Sequence, residues 1–197
     1  MMTADGSLRI LLAHEHRGEN KSWLNFLGGK YKPGETRPAE TASRKFCDET
    51  KHLVTLSSQT LAAAIDPEHP NTKVLWLPEG KYYLYVHLIT HDRWLDLPER
   101  FLVAPSQPTA AVQTLGWLPL PMAVATARGK RSRMTWGAGS KIWTSSPSRF
   151  LAQALRGVEM ARLLSELECR ATQLTALPSH ATRGPVPTAE LDRRSSP

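Results

Sequence analysis

Apolar residues occur along the chain in short runs separated by polar and glycine-rich segments, and this pattern predicts a sheet. The runs have the length of strands rather than of buried helices. They lie at residues 8–14, 23–27, 73–77, 82–90 and 115–118. Pro78, Glu79, Gly80 and Lys81 separate the third run from the fourth, so these two runs are expected to form a hairpin.

One stretch between these runs has helical spacing instead. Residues 38–51 begin with Pro38, and proline is favoured in the first turn of a helix. Apolar side chains then recur at Ala39, Ala42 and Phe46, which places them on one face. We therefore predict a helix over 38–51 whose apolar stripe faces a core.

A second helix is predicted near the end of the chain, at residues 149–169, with Ser148 as its N-cap. Gly157 inside it weakens the helix by about 1 kcal/mol relative to alanine. Residues 56–70 and 92–109 are rich in Pro, Ser, Asp and His, so we predict long loops there.

Composition fits one domain with an appendage. We assign residues 1–170 to the domain and residues 171–197 to a disordered basic tail rich in Pro, Ser and Thr. Two isolated cysteines, Cys47 and Cys169, form neither a disulfide framework nor a zinc motif. Without a signal peptide or an apolar run long enough to span a membrane, we predict a cytoplasmic protein.

The formal net charge is +7, which favours anionic partners such as nucleotides or RNA. The alternative is a basic tail that only aids solubility. A basic segment at residues 128–133 is a possible RNA contact, although a solvated loop would have the same composition. Oligomeric state is not predictable from the sequence.

The chemistry-bearing stretch joins a glycine-rich turn to the first predicted helix. Asp48 and Glu49 are adjacent, so two carboxylates can approach one hard cation such as Mg2+ (or Mn2+). Gly28 and Gly29 lack a Cβ atom, which lets the backbone approach that ion and a diphosphate closely. The alternative is that both acidic residues simply form a solvated helix face.

The same stretch resembles the Nudix box, in which Gly, five residues, Glu and seven residues precede an Arg-Glu-apolar-x-Glu-Glu-x-Gly-apolar segment. The matching positions are Gly29, Glu35, Arg44, Phe46 and Glu49, with Asp48 in place of a Glu. One extra residue, Arg37, is placed in the loop before the helix, where an insertion is cheap. The segment LGWLPL at residues 115–120 also looks like a late strand of this family.

The resemblance implies an α/β fold, a Nudix-type α/β/α sandwich with a mixed central β-sheet. It implies a hydrolase that cleaves a pyrophosphate bond in a nucleoside diphosphate linked to another group, by metal-assisted attack of water. Carried over by position, the implied catalytic residues are Glu49, Arg44 and Glu35, the metal ligands are Asp48 and Glu49, and the substrate-binding residues are Gly28, Gly29 and Lys30. Arg44 is implied to orient Glu35 through a salt bridge.

Three positions depart from the family pattern, and one of them, His52, is polar where the family has an apolar residue. Lys45 replaces the first helix Glu, and at about 5 Å and an effective dielectric of about 20 each unit charge pair is worth roughly 3 kcal/mol. Lys45 is also four residues before Glu49, so the two are expected to pair. Lys51 replaces the Gly that closes the helix. The alternative function is therefore a catalytically impaired Nudix-fold module that binds nucleotide or RNA.

Further candidates lie outside the motif. If the helix lacks a catalytic acid or base, a residue of one loop could supply it. The three candidates there are Asp92, Asp96 and Glu99. Three aromatic residues suit stacking on a nucleobase, although strand aromatics are more often in the core. They are Trp23, Trp76 and Tyr83.

Overall fold

A five-stranded mixed sheet lies at the centre of the fold. The computed structural model describes residues 7–16, 22–63, 71–89, 94–105, 111–128, 134–138 and 141–176. The strands, in spatial order, are β5 (Val112–Pro119), β1 (Arg9–His16), β2 (Ser22–Asn25), β7 (Lys141–Pro147) and β6 (Met134–Ala138). β2 and β7 are parallel, whereas the other neighbouring pairs with a defined register are antiparallel.

A separate hairpin is formed by β3 (Thr72–Leu77) and β4 (Tyr82–His87), as the sequence predicted. A single 3-10 turn at Pro78–Gly80 connects them, and Lys81 completes the connection in the left-handed conformation, with φ of 49°. The register places Trp76 opposite Tyr83.

Six helices are present in the described part of the chain. They are α1 (Pro38–Glu49), α2 (Ser58–Ala62), α3 (Leu97–Val103), α4 (Leu120–Ala127), α5 (Arg149–Arg156) and α6 (Val158–Ala176). None of the helices in the described ranges is long and apolar enough to cross a membrane.

The sheet has a core on each face. Leu12 and Ala13 are consecutive on β1 and both fully buried, and they belong to different apolar clusters because strand side chains alternate. Leu12 packs in the cluster that contains Leu151 of α5, and Ala13 packs in the one that contains Phe101 of α3. Helices on both faces of a mixed sheet make the α/β fold predicted from the sequence.

Two predicted loops are in part helical, so those predictions were wrong for residues 58–62 and 97–103. The Ser57 hydroxyl caps α2 by accepting the N–H of Thr60 at 3.0 Å. Leu97 and Phe101 hold α3 in place by burying their side chains. The loop residues 64–70, 90–93 and 106–110 lie outside the described ranges.

The predicted second helix is two helices. Gly157 adopts an extended conformation, with φ of −62° and ψ of 144°, and separates α5 from α6. α6 continues to Ala176, so residues 171–176 of the predicted tail are helical, and residues 177–197 lie outside the described ranges. The sequence did not predict α4 or the β6–β7 hairpin.

Candidate functional site

A tight turn gives the glycine-rich loop its shape. The N–H of Glu35 donates to the carbonyl of Lys32 at 3.2 Å. Gly34 has φ of +96°, which L side chains rarely adopt, and Pro33 precedes it. Proline followed by glycine at the two central positions is the signature of a type II turn, so the turn predicted here is confirmed.

Glu40 fixes the start of α1. Its carboxylate accepts the N–H of Thr36 at 2.7 Å and that of Arg37 at 3.4 Å, which satisfies donors that the first helical turn leaves without partners. Pro38 is the first helical residue. The extra residue Arg37 therefore precedes the helix, as predicted, and does not disturb the register of the helical residues after it.

Arg44 ties the loop to the helix through Glu35. Arg44 Nε lies 2.5 Å from Glu35 Oε1, and Arg44 Nη2 donates to the carbonyl of Lys30 at 3.1 Å. Glu35 Oε2 accepts from the Thr41 hydroxyl at 2.6 Å and from the N–H of Lys32 at 2.8 Å. The hydrogen bonds from Arg44, then Thr41 and Lys32, lower the pKa of Glu35 to about 2.

Glu49 is held beside the glycines by both of its oxygens. Oε2 accepts the N–H of Gly28 at 2.7 Å, and Oε1 lies 3.0 Å from Nζ of Lys45. The Glu49 side chain is only 13% exposed. Burial raises its pKa, and the hydrogen bonds from Lys45 and Gly28 offset that rise only in part.

Asp48 is more exposed than Glu49 and has different partners. Its side chain is 41% exposed and lies 3.5 Å from Nη1 of Arg44 and 3.9 Å from Nε2 of His52. Consecutive helical residues point about 100° apart, so two adjacent carboxylates converge only if their side chains bend together. Here one carboxylate contacts the glycine loop and the other lies on the outer face.

Close contacts with two side chains favour glycine at both positions. A Cβ atom on Gly28 would lie 1.7 Å from the hydroxyl oxygen of Tyr82, and one on Gly29 would lie 2.3 Å from Cε of Lys45. Gly28 thus makes room for the Tyr82 hydroxyl, and Gly29 makes room for the Lys45 stem. The loop, the β4 strand and the α1 helix meet at this point.

Glu15 of β1 belongs to the same cluster, although the sequence did not single it out. It is buried, and Nδ2 of Asn25 donates to its Oε1 at 3.4 Å. Its charge adds to the effects that raise the pKa of Glu49 and of Tyr82, the latter to about 12, where burial is the first cause. The alternation of side chains along a strand could have identified Glu15, because it places Glu15 on the same face of β1 as buried Ala13.

Comparison with protein families matches residues 1–135 to the NUDIX domain. The chain belongs to the Nudix family. A search of curated proteins and of solved structures gave no significant match. Nudix proteins are typically pyrophosphohydrolases that act on nucleotide-type substrates and generally use divalent metal ions.

The Nudix metal ion is a poor fit to the side chains of this chain as they are arranged. Within the described ranges, no three His, Cys, Asp or Glu residues converge as ligands. Both oxygens of Glu49 are engaged, and one of their partners is the Lys45 ammonium, which repels a cation. Asp48 faces Arg44 instead.

The other acidic candidates within the described residues lie at the start of α3. Asp96 is exposed and pairs with Arg100 at 3.5 Å, Glu99 is exposed on α3, and Asp92 is outside the described residues. The basic segment at 129–133 also lies outside them. The expectation that strand aromatics are in the core is wrong for three residues, which are exposed: Trp23, Trp76 and Tyr83.

Proposed function

We propose that this Nudix domain binds a nucleoside diphosphate derivative and hydrolyses it slowly or not at all. The Lys45–Glu49 ion pair is the observation that carries the proposal. In the family pattern position 45 is a carboxylate, whereas here it is a cation 3.0 Å from the carboxylate that the motif keeps. Compared with the carboxylate of the family pattern, an ammonium at this position lowers the affinity for a metal ion and raises the affinity for a phosphate.

The loop supplies further donors for an anion. The backbone N–H groups of Gly29, Lys30 and Tyr31 have no protein acceptor within the described ranges. All three residues are exposed. Successive free N–H groups form a favourable site for phosphate oxygens, and the Lys45 ammonium, which pairs with Glu49, adds a donor beside Gly29. These contacts support binding of a diphosphate without a divalent ion.

Calorimetry with ADP, ADP-ribose and inorganic pyrophosphate tests this proposal. We expect binding of ADP in the presence of EDTA, and weaker binding by Lys45→Met, which keeps the stem but removes the charge. Lys32→Met is the matched control, because Lys32 is exposed and its N–H, not its ammonium, contacts the site. Equal affinity of wild type and Lys45→Met would contradict the proposal.

The second candidate is an active metal-dependent pyrophosphohydrolase. It is favoured by the Arg44–Glu35 pair and the Glu49–Gly28 hydrogen bond, which keep the motif in its folded arrangement. It requires Lys45 to leave Glu49. Release of a mononucleotide from ADP-ribose with Mg2+ or Mn2+, abolished by Glu49→Gln, would favour this candidate over the first.

A further inference from the structure

A pocket of about 330 Å3 lies between the glycine-rich loop and the β3–β4 hairpin. Gly29 and Thr41 line the part next to Lys45, and Tyr83 of β4 lines another part. Gly29 and Tyr31, whose N–H groups are among the proposed phosphate contacts, therefore belong to the lining of the pocket, whereas Lys45 does not. Its lining contains no Asp or Glu side chain among the described residues, but it includes Lys81 and also Arg37, whose Nε lies 3.2 Å from Oε1 of Glu40.

Two of the three aromatic residues that line this pocket are exposed, and the third, Tyr82, packs against the core. Tyr31 of the loop is 62% exposed, and Tyr83 of the hairpin is 47% exposed. Trp76 lies behind Tyr83, with 4.6 Å between ring centroids, and this contact restricts the Tyr83 ring. Exposed aromatic rings held beside cations are the features expected of a site that binds a planar, negatively charged ligand.

Lys81 is held in this pocket by an unfavourable backbone conformation. Its φ of 49° lies in the left-handed region, where a residue with a side chain is strained and glycine is favoured. The Lys81 side chain has no ion-pair partner within the described ranges. The lining of the pocket thus includes a lysine at a position where the backbone conformation alone would favour glycine.

We propose that this pocket binds the base of the nucleotide, with the ring stacked on Tyr83 and Tyr31 and with Lys81 contacting a phosphate. The inference rests on the proposed function, because the diphosphate next to Lys45 determines where the nucleoside begins. Every base has a flat face, so stacking alone is expected to accept any base. Purines have the larger ring system, so we expect them to bind more tightly than pyrimidines.

The test measures ADP and inorganic pyrophosphate in parallel by calorimetry. Tyr83→Leu and Tyr31→Leu are each expected to weaken ADP binding about tenfold and to leave pyrophosphate binding unchanged. Trp23→Leu is the control, because Trp23 is also exposed, at 38%, and does not line the pocket. Tyr31 is on an exposed loop, so its variant is expected to fold even if Tyr83→Leu does not.

Lys81→Gly separates a binding role from a structural one. It removes the ammonium and relieves the left-handed strain, so its thermal unfolding temperature is expected to be equal to wild type or higher while its ADP affinity falls severalfold. Unchanged ADP affinity in the tyrosine and Lys81 variants, with pyrophosphate still bound, would overturn the base site alone. Failure of the wild type to bind either probe would overturn the proposed function as well.

Discussion

Lys45 Nζ lies 3.0 Å from Glu49 Oε1, one helical turn further along α1. The pair joins a departure from the family motif to the acidic residue that the motif keeps. Glu49 is mostly buried, so the ammonium stabilises a carboxylate that burial alone would favour in its protonated form. Lysine at position 45 therefore reverses the charge at that position and also occupies one oxygen of Glu49.

Reversing this charge is expected to restore affinity for a divalent ion. In Lys45→Glu, Glu49 loses its cation and a second carboxylate lies one turn away from it. Mn2+ is expected to raise the thermal unfolding temperature of this variant but not that of wild type, because a ligand bound only to the folded state stabilises it by about 2.7 kcal/mol at 100 times its Kd.

Lys32→Glu controls for the change in net charge, because the Lys32 side chain is exposed and does not contact Glu49. An equal Mn2+ response in wild type and Lys45→Glu would mean that Lys45 does not exclude the ion.

Gly28→Ala is expected to destabilise the fold by about 1–3 kcal/mol, the usual range for overpacking. The new methyl group would lie 1.7 Å from the Tyr82 hydroxyl oxygen. Tyr82→Phe removes that oxygen, so the double variant is expected to recover part of the loss in a double-mutant cycle measured by urea unfolding.

Gly34→Ala gives the contrast for that cycle. An alanine at position 34 would be strained by the positive φ, but its methyl group would have no neighbouring atom within 4 Å, so Tyr82→Phe is expected to leave its cost unchanged. Simple additivity of Gly28→Ala and Tyr82→Phe would show that the clash is relieved in some other way.

Glu35 is expected to make stability depend on pH in acid. Its pKa is about 2 in the folded protein against an ordinary value of 4.5, so its contribution is fully present above 4.5 and is lost as the pH falls towards 2. The difference in free energy of unfolding between wild type and Glu35→Gln should shrink over that interval. Denaturant unfolding at several pH values measures it, and a constant difference would be inconsistent with the Arg44 contact.

Lys51 combines a strained backbone with a favourable side-chain contact. Its φ is 54°, and its ammonium donates to the carbonyls of Phe101 at 2.8 Å and Ala104 at 2.9 Å, at the end of α3. Lys51→Met loses these bonds and keeps the strain, so we expect a loss of about 1–3 kcal/mol. Lys51→Gly loses the bonds but relieves the strain, and is expected to lose less.

Urea unfolding of the two Lys51 variants checks this order. If Lys51→Met were as stable as wild type, the hydrogen bonds from Lys51 to α3 would contribute nothing to the free energy of unfolding.

The helix and its loop were predictable because their determinants are local. Pro33 and Gly34 specify the turn, and Arg44 is close enough in sequence to Glu35 for the motif spacing to indicate their contact. Gly157 was predicted only to weaken a helix, yet it ends one. The reason is that packing of α5 and α6, rather than helix propensity, decides whether the chain continues straight.

Long-range contacts were not predictable in the same way. The charge of Glu15 helps to raise the pKa of Glu49 because β1 pairs with β2, the strand that leads into the loop. Leu97 and Phe101 form a helix because β5 and its neighbours bury them, whereas their local composition suggested a loop. Asp48 contacts Arg44 and His52 rather than the glycine-rich loop, and the sequence pattern does not indicate which of these partners it takes.

The parallel pairing of β2 with β7 has a practical consequence for anyone trimming this chain. The recognisable family sequence ends at residue 135, but Trp23 pairs with Ser146, and the Ser148 N–H donates to the carbonyl of Leu24 at 2.8 Å. A cut at 135 would leave a strand edge open to aggregation and remove Leu151 from the interior. The stretch that matches the family, residues 1–135, is therefore shorter than the stretch that we expect a stable soluble sample to need.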